Sequence, residues 1–169
     1  MGFTLSELEE VTPAAVLTTL LGFAGLFVLW WAYFALAGHD TAASQGEGST
    51  TALRSAFAYA HALMVAGAIV VAVSIELRIS HPENDPPLLL TTVGGPLIYL
   101  AGNILFLRSR TGAVARTRYI AVAALVVIGI AGLVLGHAVP ALLIGVATLA
   151  VTTTLAVVTQ LRSAREAVA

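Results

Sequence analysis

The sequence predicts an all-α membrane protein, a polytopic bundle of five transmembrane helices. Two observations support this prediction. Of the 169 residues, 59% are hydrophobic and only 10% are charged, whereas a soluble domain carries about 25% charged residues. The apolar residues also fall into five runs of about 20 residues, the length that crosses the hydrocarbon core as a helix. A chain with so few charges cannot cover a soluble surface, so we expect a multi-pass protein of the cell membrane, in contact with the lipid bilayer.

Segments rich in polar residues, glycine and proline separate the apolar runs. The predicted spans cover residues of about 13–37, 55–79, 88–107, 119–136 and 141–161. Pro13 suits the first turn of a helix, where its missing N–H is not needed, and the prolines of SHPENDPP, residues 80–87, stop the second helix. Gly-Gly-Pro at residues 94–96 is expected to bend the third helix and to free backbone carbonyls. Every connecting segment is short, so we expect a single transmembrane domain over residues 1–169.

The arginines predict the orientation of the bundle. All eight basic residues are arginine, and seven of them lie in or beside segments on one side of the membrane: Arg54, Arg108, Arg110, Arg116, Arg118, Arg162 and Arg165. Only Arg78 falls on the other side, together with the acidic N-terminal segment. Because cytoplasmic loops are enriched in Lys and Arg, the N-terminus is predicted outside and the C-terminus in the cytoplasm.

Composition and spacing exclude or disfavour several classes of function. The chain has no cysteine, which excludes disulfides and thiol catalysis. Its net charge of −1 offers no basic surface for nucleic acid. No spacing typical of a Ser-His-Asp triad, a metal site or a phosphate loop occurs, so we expect neither an enzyme nor a metal site. A haem would need a second histidine at the depth of His61, and no span supplies one, so we expect no cofactor.

Aromatic and polar residues gather at the cytoplasmic ends of the first three predicted spans. This candidate inner polar site consists of Trp31, Tyr33, Tyr59, His61, Tyr99 and Asn103. With a helical rise of about 1.5 Å per residue, His61 lies roughly 9 Å below the membrane surface, and Tyr99 and Asn103 share one helix face because they are four residues apart. Polar residues inside spans are often functional. The alternatives are an interfacial belt for the aromatic residues and hydrogen bonding between helices for His61 and Asn103.

The outer end of the second span carries a candidate outer polar site of Glu76 and His81. Glu76 is either a solvated carboxylate at the interface or the outer acidic group of a pathway, paired with His81. The small residues Gly67, Ala68 and Ala72 lie between His61 and Glu76 on one broad face. That face is therefore expected to meet another helix rather than lipid.

Small residues also predict self-association. Gly132 and Gly136 form a GxxxG motif preceded by Gly129, and the first span contains Gly22 and Gly25. Such residues let two helices approach closely in a membrane. We therefore expect a parallel homodimer about an axis along the membrane normal, with the first or the fourth span at the contact.

Three linked motifs suggest a family. LWWAYF at residues 29–34, AYAHALMVAGAIVVAVSIELRISHP at residues 58–82 and GGPLIYLAGNILFLRSR at residues 94–110 resemble the C-terminal half of the bacterial low temperature requirement A family. The resemblance covers about Leu29 to Arg110 and implies a membrane protein of unsettled molecular role. Family members usually carry an acidic residue directly after the aromatic motif, where this chain has Ala35. They also have a preceding half, so the chain is either a half-length relative or a piece of a longer protein.

Two functions remain open from the residues alone. The first is a small transporter or channel subunit that uses His61, Tyr99 and Asn103 as an inner site and Glu76 at the outer mouth. The second is a non-transporting membrane module for assembly or sensing. Polar groups around a cavity would favour transport, whereas tightly packed and mutually bonded groups would favour the structural role. The residues do not identify a substrate or ion.

Overall fold

A computed structural model describes residues 13–37, 50–80 and 85–166, and the regular secondary structure in these ranges is helical. The elements are α1 (Pro13–Ala37), α2 (Thr50–Ser80), α3 (Pro86–Thr111), α4 (Arg116–Leu135) and α5 (Ala141–Glu166), with a 3-10 turn at Gly136–Ala138. His81, a member of the predicted outer site, lies outside the described residues.

The five helices are long and apolar enough to cross a membrane, which confirms the predicted all-α class and the five spans. Several helices extend beyond the predicted limits: α2 begins at Thr50, and α3 and α5 end at Thr111 and Glu166. Gly112 caps the end of α3; it has a φ of 68° and donates its N–H to the carbonyl of Arg108. A left-handed glycine of this kind is a common helix end. The apolar runs are shorter than the helices, because backbone hydrogen bonding continues into the polar residues that follow each run.

The helices form a closed ring in which α1, α2, α3, α4 and α5 each pack against the next, and α5 packs against α1. The most extensive contact joins α2 and α3, and α3 also touches α1 and α5. In the membrane-crossing part of α3, 56% of the residues are buried, compared with 11% in α1. Helix α3 is therefore the central helix, and its side chains are positioned to build a site inside the bundle.

Glycines bring the backbones of α2 and α3 into direct contact. A Cβ atom at Gly67 would lie 2.5 Å from the backbone nitrogen of Tyr99, and one at Gly102 would lie 2.7 Å from the carbonyl oxygen of Ala60. Gly95 meets the backbone of α2 in the same way. The expectation that the face of α2 around Gly67 meets another helix agrees with this contact, and the partner is α3. Ala72, which was expected on the same contact, is exposed instead.

Buried apolar side chains form two clusters that share α3. One joins α3 to α4 and α5, and its members are Leu89, Val93, Leu100, Ala121, Leu125, Ile144 and Leu155. The other joins α3 to α1 and α2, and its members are Leu29, Ala60, Met64, Val71, Tyr99 and Phe106. Large exposed side chains recur every three or four residues along α1, at Leu20, Phe23, Phe27, Trp30 and Phe34. This spacing places them on one face, which lies on the outside of the bundle.

The glycines assigned to a dimer contact face mainly into the chain itself. A Cβ at Gly132 would lie 2.6 Å from Leu89 Cδ1 of α3 and 3.1 Å from Ile144 Cδ1 of α5. Gly129 faces Val93 of α3. The assignment of Gly132 to a contact between two copies was therefore wrong, because this glycine makes room for α3 and α5 within one protomer.

Candidate functional site

Tyr99, from the predicted inner site, connects the central helix to α1. Its side chain is buried, and its hydroxyl donates a hydrogen bond to the backbone carbonyl of Leu29 at 2.5 Å. A carbonyl inside a helix normally accepts only from the residue four positions later, but its second lone pair is available for a side-chain donor. The bond fixes α1 against α3 in the middle of the bundle.

Asn103, one turn further along α3, holds a buried arginine. Nε of Arg118 donates a hydrogen bond to Oδ1 of Asn103 at 2.7 Å, and the side chains of Asn103 and Arg118 are 2% and 5% exposed. Arg118 was expected beside the fourth span as one of the arginines that orient the bundle. It is instead a residue of the first turn of α4 that packs against α3. The sequence signal was the short connection between α3 and α4, which brings the end of one helix beside the start of the other.

The other members of the predicted inner site lie toward the outside of the bundle. His61 is exposed; its ring stacks on Phe57 with an interplanar angle of 3° and meets the ring of Tyr33 edge-on at 6.0 Å. His61 was expected in one site with Tyr99 and Asn103, but its imidazole is not enclosed between α1 and α3. Tyr59 is 70% exposed, and Trp31 is half-buried. The structure therefore separates His61 and Tyr59 from the buried pair of Tyr99 and Asn103.

Glu76, predicted at the outer polar site, is exposed. Its backbone carbonyl accepts a hydrogen bond from the Ser80 hydroxyl at 2.9 Å. Glu76 is not among the residues that line a cavity at this end of α2.

This cavity, which sequence reasoning missed, lies between α1, α2, α3 and α5 and has a volume of about 60 Å³. Its wall includes six polar side chains: Thr18, Ser74, Arg78, Thr92, Thr148 and Thr152. Leu29 also lines it, so the carbonyl that binds Tyr99 belongs to a residue of the cavity wall. The cavity occupies the part of the bundle where α2 ends and where α3 and α5 begin.

Arg78 is the charged residue in the wall of this cavity. Its Nη2 donates a hydrogen bond to Oγ1 of Thr92 at 3.0 Å. Gly145 of α5 lies against the guanidinium, and a side chain at that position would collide with it. The absence of a side chain at Gly145 thus makes room for the guanidinium between α2, α3 and α5. The available sequence signal was that Arg78 is the lone arginine against the orientation bias, with Ser74 one turn before it on the same face.

Thr148 contributes an unpaired polar group. Its side chain is 5% exposed, and its Oγ1 is buried without a hydrogen-bond partner. The neighbouring Thr152 hydroxyl donates to the carbonyl of Thr148 at 3.0 Å, as threonines in helices commonly do. Buried polar atoms without a partner are rare in native structures and call for an explanation such as water or a ligand.

Pro96 adds backbone polarity to the same wall. It lies inside α3, which runs through it as one helix, and it lines the cavity. Proline has no N–H, so the carbonyl of Thr92, four residues earlier, has no helical donor. The expectation that the Gly-Gly-Pro segment frees a carbonyl inside the membrane agrees with this placement.

The buried polar residues of α3 share one face. Thr92 and Asn103 are eleven residues apart, which corresponds to roughly 16 Å along the helix and about 20° around it. Tyr99 falls between them on the same face. Arg78 from α2 binds the first of these residues and Arg118 from α4 binds the last. The central helix therefore carries one polar face with an arginine near each end, half-buried at Arg78 and buried at Arg118.

These features define a polytopic helical membrane protein whose apolar core contains a few buried polar residues. The sequence matches the family of the bacterial low temperature requirement A protein (LtrA) over residues 1–157. The chain belongs to this family, and the match is wider than the segment from Leu29 to Arg110 on which the resemblance rested.

One curated relative is an uncharacterized protein of Rhizobium meliloti (strain 1021). It is 33% identical over 111 residues, which cover 60% of this chain and 25% of the relative. The matched region thus spans about a quarter of the length of that protein. No solved structure is significantly similar to the chain.

Proposed function

We propose that the protein is a transport unit that moves a small hydrophilic solute across the membrane, with the cavity lined by Arg78 as its binding site. The observation that carries this proposal is a cavity between four apolar helices whose wall includes six polar side chains, among them Arg78 and the unpartnered Thr148. In a helical module that serves only assembly, polar groups gain most by bonding to each other. The unpartnered hydroxyl of Thr148 instead fits a space that holds water or solute.

The polar face of α3 supplies a path in this proposal. Beyond the cavity, the Tyr99 hydroxyl is bonded to the carbonyl of Leu29 and closes the space between α1 and α3. Asn103 and Arg118 follow further along the same face. Passage of a solute would require the Tyr99 bond to open, so the described conformation corresponds to a state closed beyond the cavity. Binding and conduction are proposed here, and no catalytic step is assigned.

The alternative function is a module for assembly or sensing that does not transport. The bonds from Tyr99 to Leu29 and from Arg118 to Asn103 favour it, because both are satisfied contacts between helices. His61 and Glu76 were first considered for a transport pathway. Both are exposed and neither lines the cavity, so their roles stay predictions.

Solute flux in liposomes tests transport. Liposomes that contain the purified chain and are preloaded with potassium nitrate or glycerol should release the solute faster than protein-free liposomes with the same load. Valinomycin is present to remove the membrane potential. Gly25→Val should reduce the release to the level of protein-free liposomes. Gly25 lines the cavity, and a Cβ added there would have no atom within 4 Å, so the valine side chain would fill open space. Ala101→Val, at an exposed position of α3, is the control. If both solutes are released no faster than from protein-free liposomes, transport is refuted and the assembly or sensing function is favoured.

The orientation of the bundle stays a prediction and decides which side the cavity opens toward. Reporter fusions after Gly46 and after Ala113 should report a cytoplasmic location, and a fusion after Glu83 should report an external one. The reason is the arginine asymmetry of the connecting segments. An external reading at Ala113 would reverse the orientation and place the Arg78 cavity toward the cytoplasm.

The parallel homodimer also stays a prediction, with α1 or α4 at the contact. Because Gly129 and Gly132 pack inside the protomer, a contact through α4 would use its exposed apolar side chains, among them Ile130 and Val134. In a monomer the same side chains would face lipid, so their exposure favours neither the monomer nor the dimer.

A further inference from the structure

We propose that the cavity between α1, α2, α3 and α5 binds a compact anion through Arg78, Thr92 and Thr148. This inference deepens the proposed function because it assigns a chemical class to the ligand of the same cavity. It concerns binding alone, so it does not require that the bound ion be moved across the membrane.

The guanidinium of Arg78 provides the charge. Arginine has five N–H donors and stays protonated in proteins, yet in the described part of the chain its hydrogen-bond partner is the neutral hydroxyl of Thr92. The cavity wall contains no Asp or Glu among the described residues. A half-buried guanidinium without a counter-charge loses part of its hydration in a medium of low polarity. An anion in the cavity would neutralise it and accept the remaining donors.

Two hydroxyl groups are suitable second and third ligands. Oγ1 of Thr92 accepts the bond from Arg78, so its own proton is available to donate to a bound ion. Oγ1 of Thr148 is buried without a partner. Thr92, Thr148 and Arg78 all line the same cavity. These donors are suited to an anion, because a cation or a neutral acceptor-rich solute would leave the charge of the guanidinium uncompensated.

The volume limits the size of the ion. The cavity of about 60 Å³ exceeds the roughly 10–15 Å³ that a single water needs on the same kind of measure, so it has room for an ion of a few non-hydrogen atoms. Nitrate, chloride and formate are of this size, whereas a nucleotide is not. The phosphate of a lipid headgroup shares the same chemistry, and the experiment separates the two sources.

Thermal unfolding of the purified chain in phospholipid-free detergent tests the site. Sodium nitrate or sodium chloride replaces sodium gluconate at constant ionic strength, and tryptophan fluorescence follows unfolding. A saturable rise in Tm is expected for nitrate or chloride, because a ligand that binds only the folded state stabilises it. Arg78→Gln should raise the half-saturating concentration by about tenfold or more, since hydrogen bonds to a charged group are the strongest at the site.

Thr148→Val keeps the test decisive if Arg78→Gln does not fold. This substitution is expected to leave the ion-free protein at least as stable, because it removes a buried hydroxyl that has no partner. It should nevertheless weaken the response to nitrate by about threefold to tenfold, the usual effect of one hydrogen bond. The matched control is Thr154→Val, at an exposed position of the same helix where the hydroxyl donates to the carbonyl of Ala150 at 2.7 Å.

A second arm identifies the source of the anionic group. Dioctanoyl phosphatidylglycerol is compared with dioctanoylglycerol, which lacks the phosphate. Stabilisation by the phospholipid alone, lost in Arg78→Gln or Thr148→Val, assigns the site to a lipid phosphate. A saturable response to nitrate or chloride with the same dependence on these residues assigns it to a free ion. Responses that are absent, or unchanged in both variants, refute the anion site.

Failure of this inference and failure of transport are distinguishable. If anion-dependent stabilisation requires Thr148 but the liposomes release no solute, the site stands and transport is refuted. If solute is released but no anion changes the Tm, transport stands and the anion site is refuted.

Discussion

Gly95→Ala is expected to destabilise the protein, although replacing a helical glycine by alanine normally stabilises a helix by about 0.5–1 kcal/mol. A Cβ at Gly95 would lie 2.6 Å from Val71 Cγ2 and 2.9 Å from the backbone nitrogen of Val71 in α2. It would also lie 3.0 Å from the carbonyl oxygen of Gly67. Because two of these atoms belong to backbone, rotation of a side chain does not relieve the overlap, and α2 and α3 must separate.

The expected cost is about 1–3 kcal/mol in the free energy of unfolding, the usual range for overpacking. Gly95→Leu should prevent α2 and α3 from packing and abolish accumulation of folded protein. The measurement is unfolding of the purified protein in mixed micelles with increasing sodium dodecyl sulfate. The neighbouring Gly94→Ala is a sharp control, because a Cβ there would have no atom within 4 Å. If Gly95→Ala proves as stable as Gly94→Ala, the close approach of α2 and α3 is incorrect.

Asn103→Leu is expected to cost about 1.5–3 kcal/mol, the range for a buried hydrogen bond to a charged group. The substitution leaves the Nε donor of Arg118 without its acceptor at 2.7 Å while the side chain stays in a position that is 5% exposed. An unpaired buried charge is far less favourable than a paired one. The same unfolding titration measures the loss.

The double variant Asn103→Leu with Arg118→Leu tests whether the two residues act as a pair. It should be less destabilised than the sum of the single variants, with a coupling energy of about 1–3 kcal/mol. Arg116→Leu provides the control, since Arg116 is exposed two residues earlier on α4, and it should change stability by no more than about 0.5 kcal/mol. Strict additivity of the two single variants would show that Asn103 does not hold Arg118.

The number and type of the helices followed from the sequence because the bilayer acts on each segment separately. A run of apolar residues must become a helix in lipid to satisfy its backbone, whatever its neighbours are. The five spans could therefore be read from hydropathy, as could the presence of polar residues such as Asn103 and Tyr99 inside one of them. The three motifs between Leu29 and Arg110 also indicated the family to which the chain belongs.

The direction in which each residue points was decided by the tertiary structure. These helices are apolar around most of their circumference, so periodicity does not separate a face toward lipid from a face toward another helix. His61 was expected inside and is exposed, and Gly132 was expected outside and is buried.

Contacts between residues far apart in the sequence also depend on how each helix is rotated about its axis. Tyr99 binds a carbonyl 70 residues away, and nothing local to either residue indicates that contact. The cavity could not be predicted at all, because it arises only where α1, α2, α3 and α5 meet around Arg78, Thr92 and Thr148. Hydrophobicity determines that a segment enters the membrane, whereas steric fit between helices determines which side chains meet there. Gly67, Gly95 and Gly102 permit the closest of these fits.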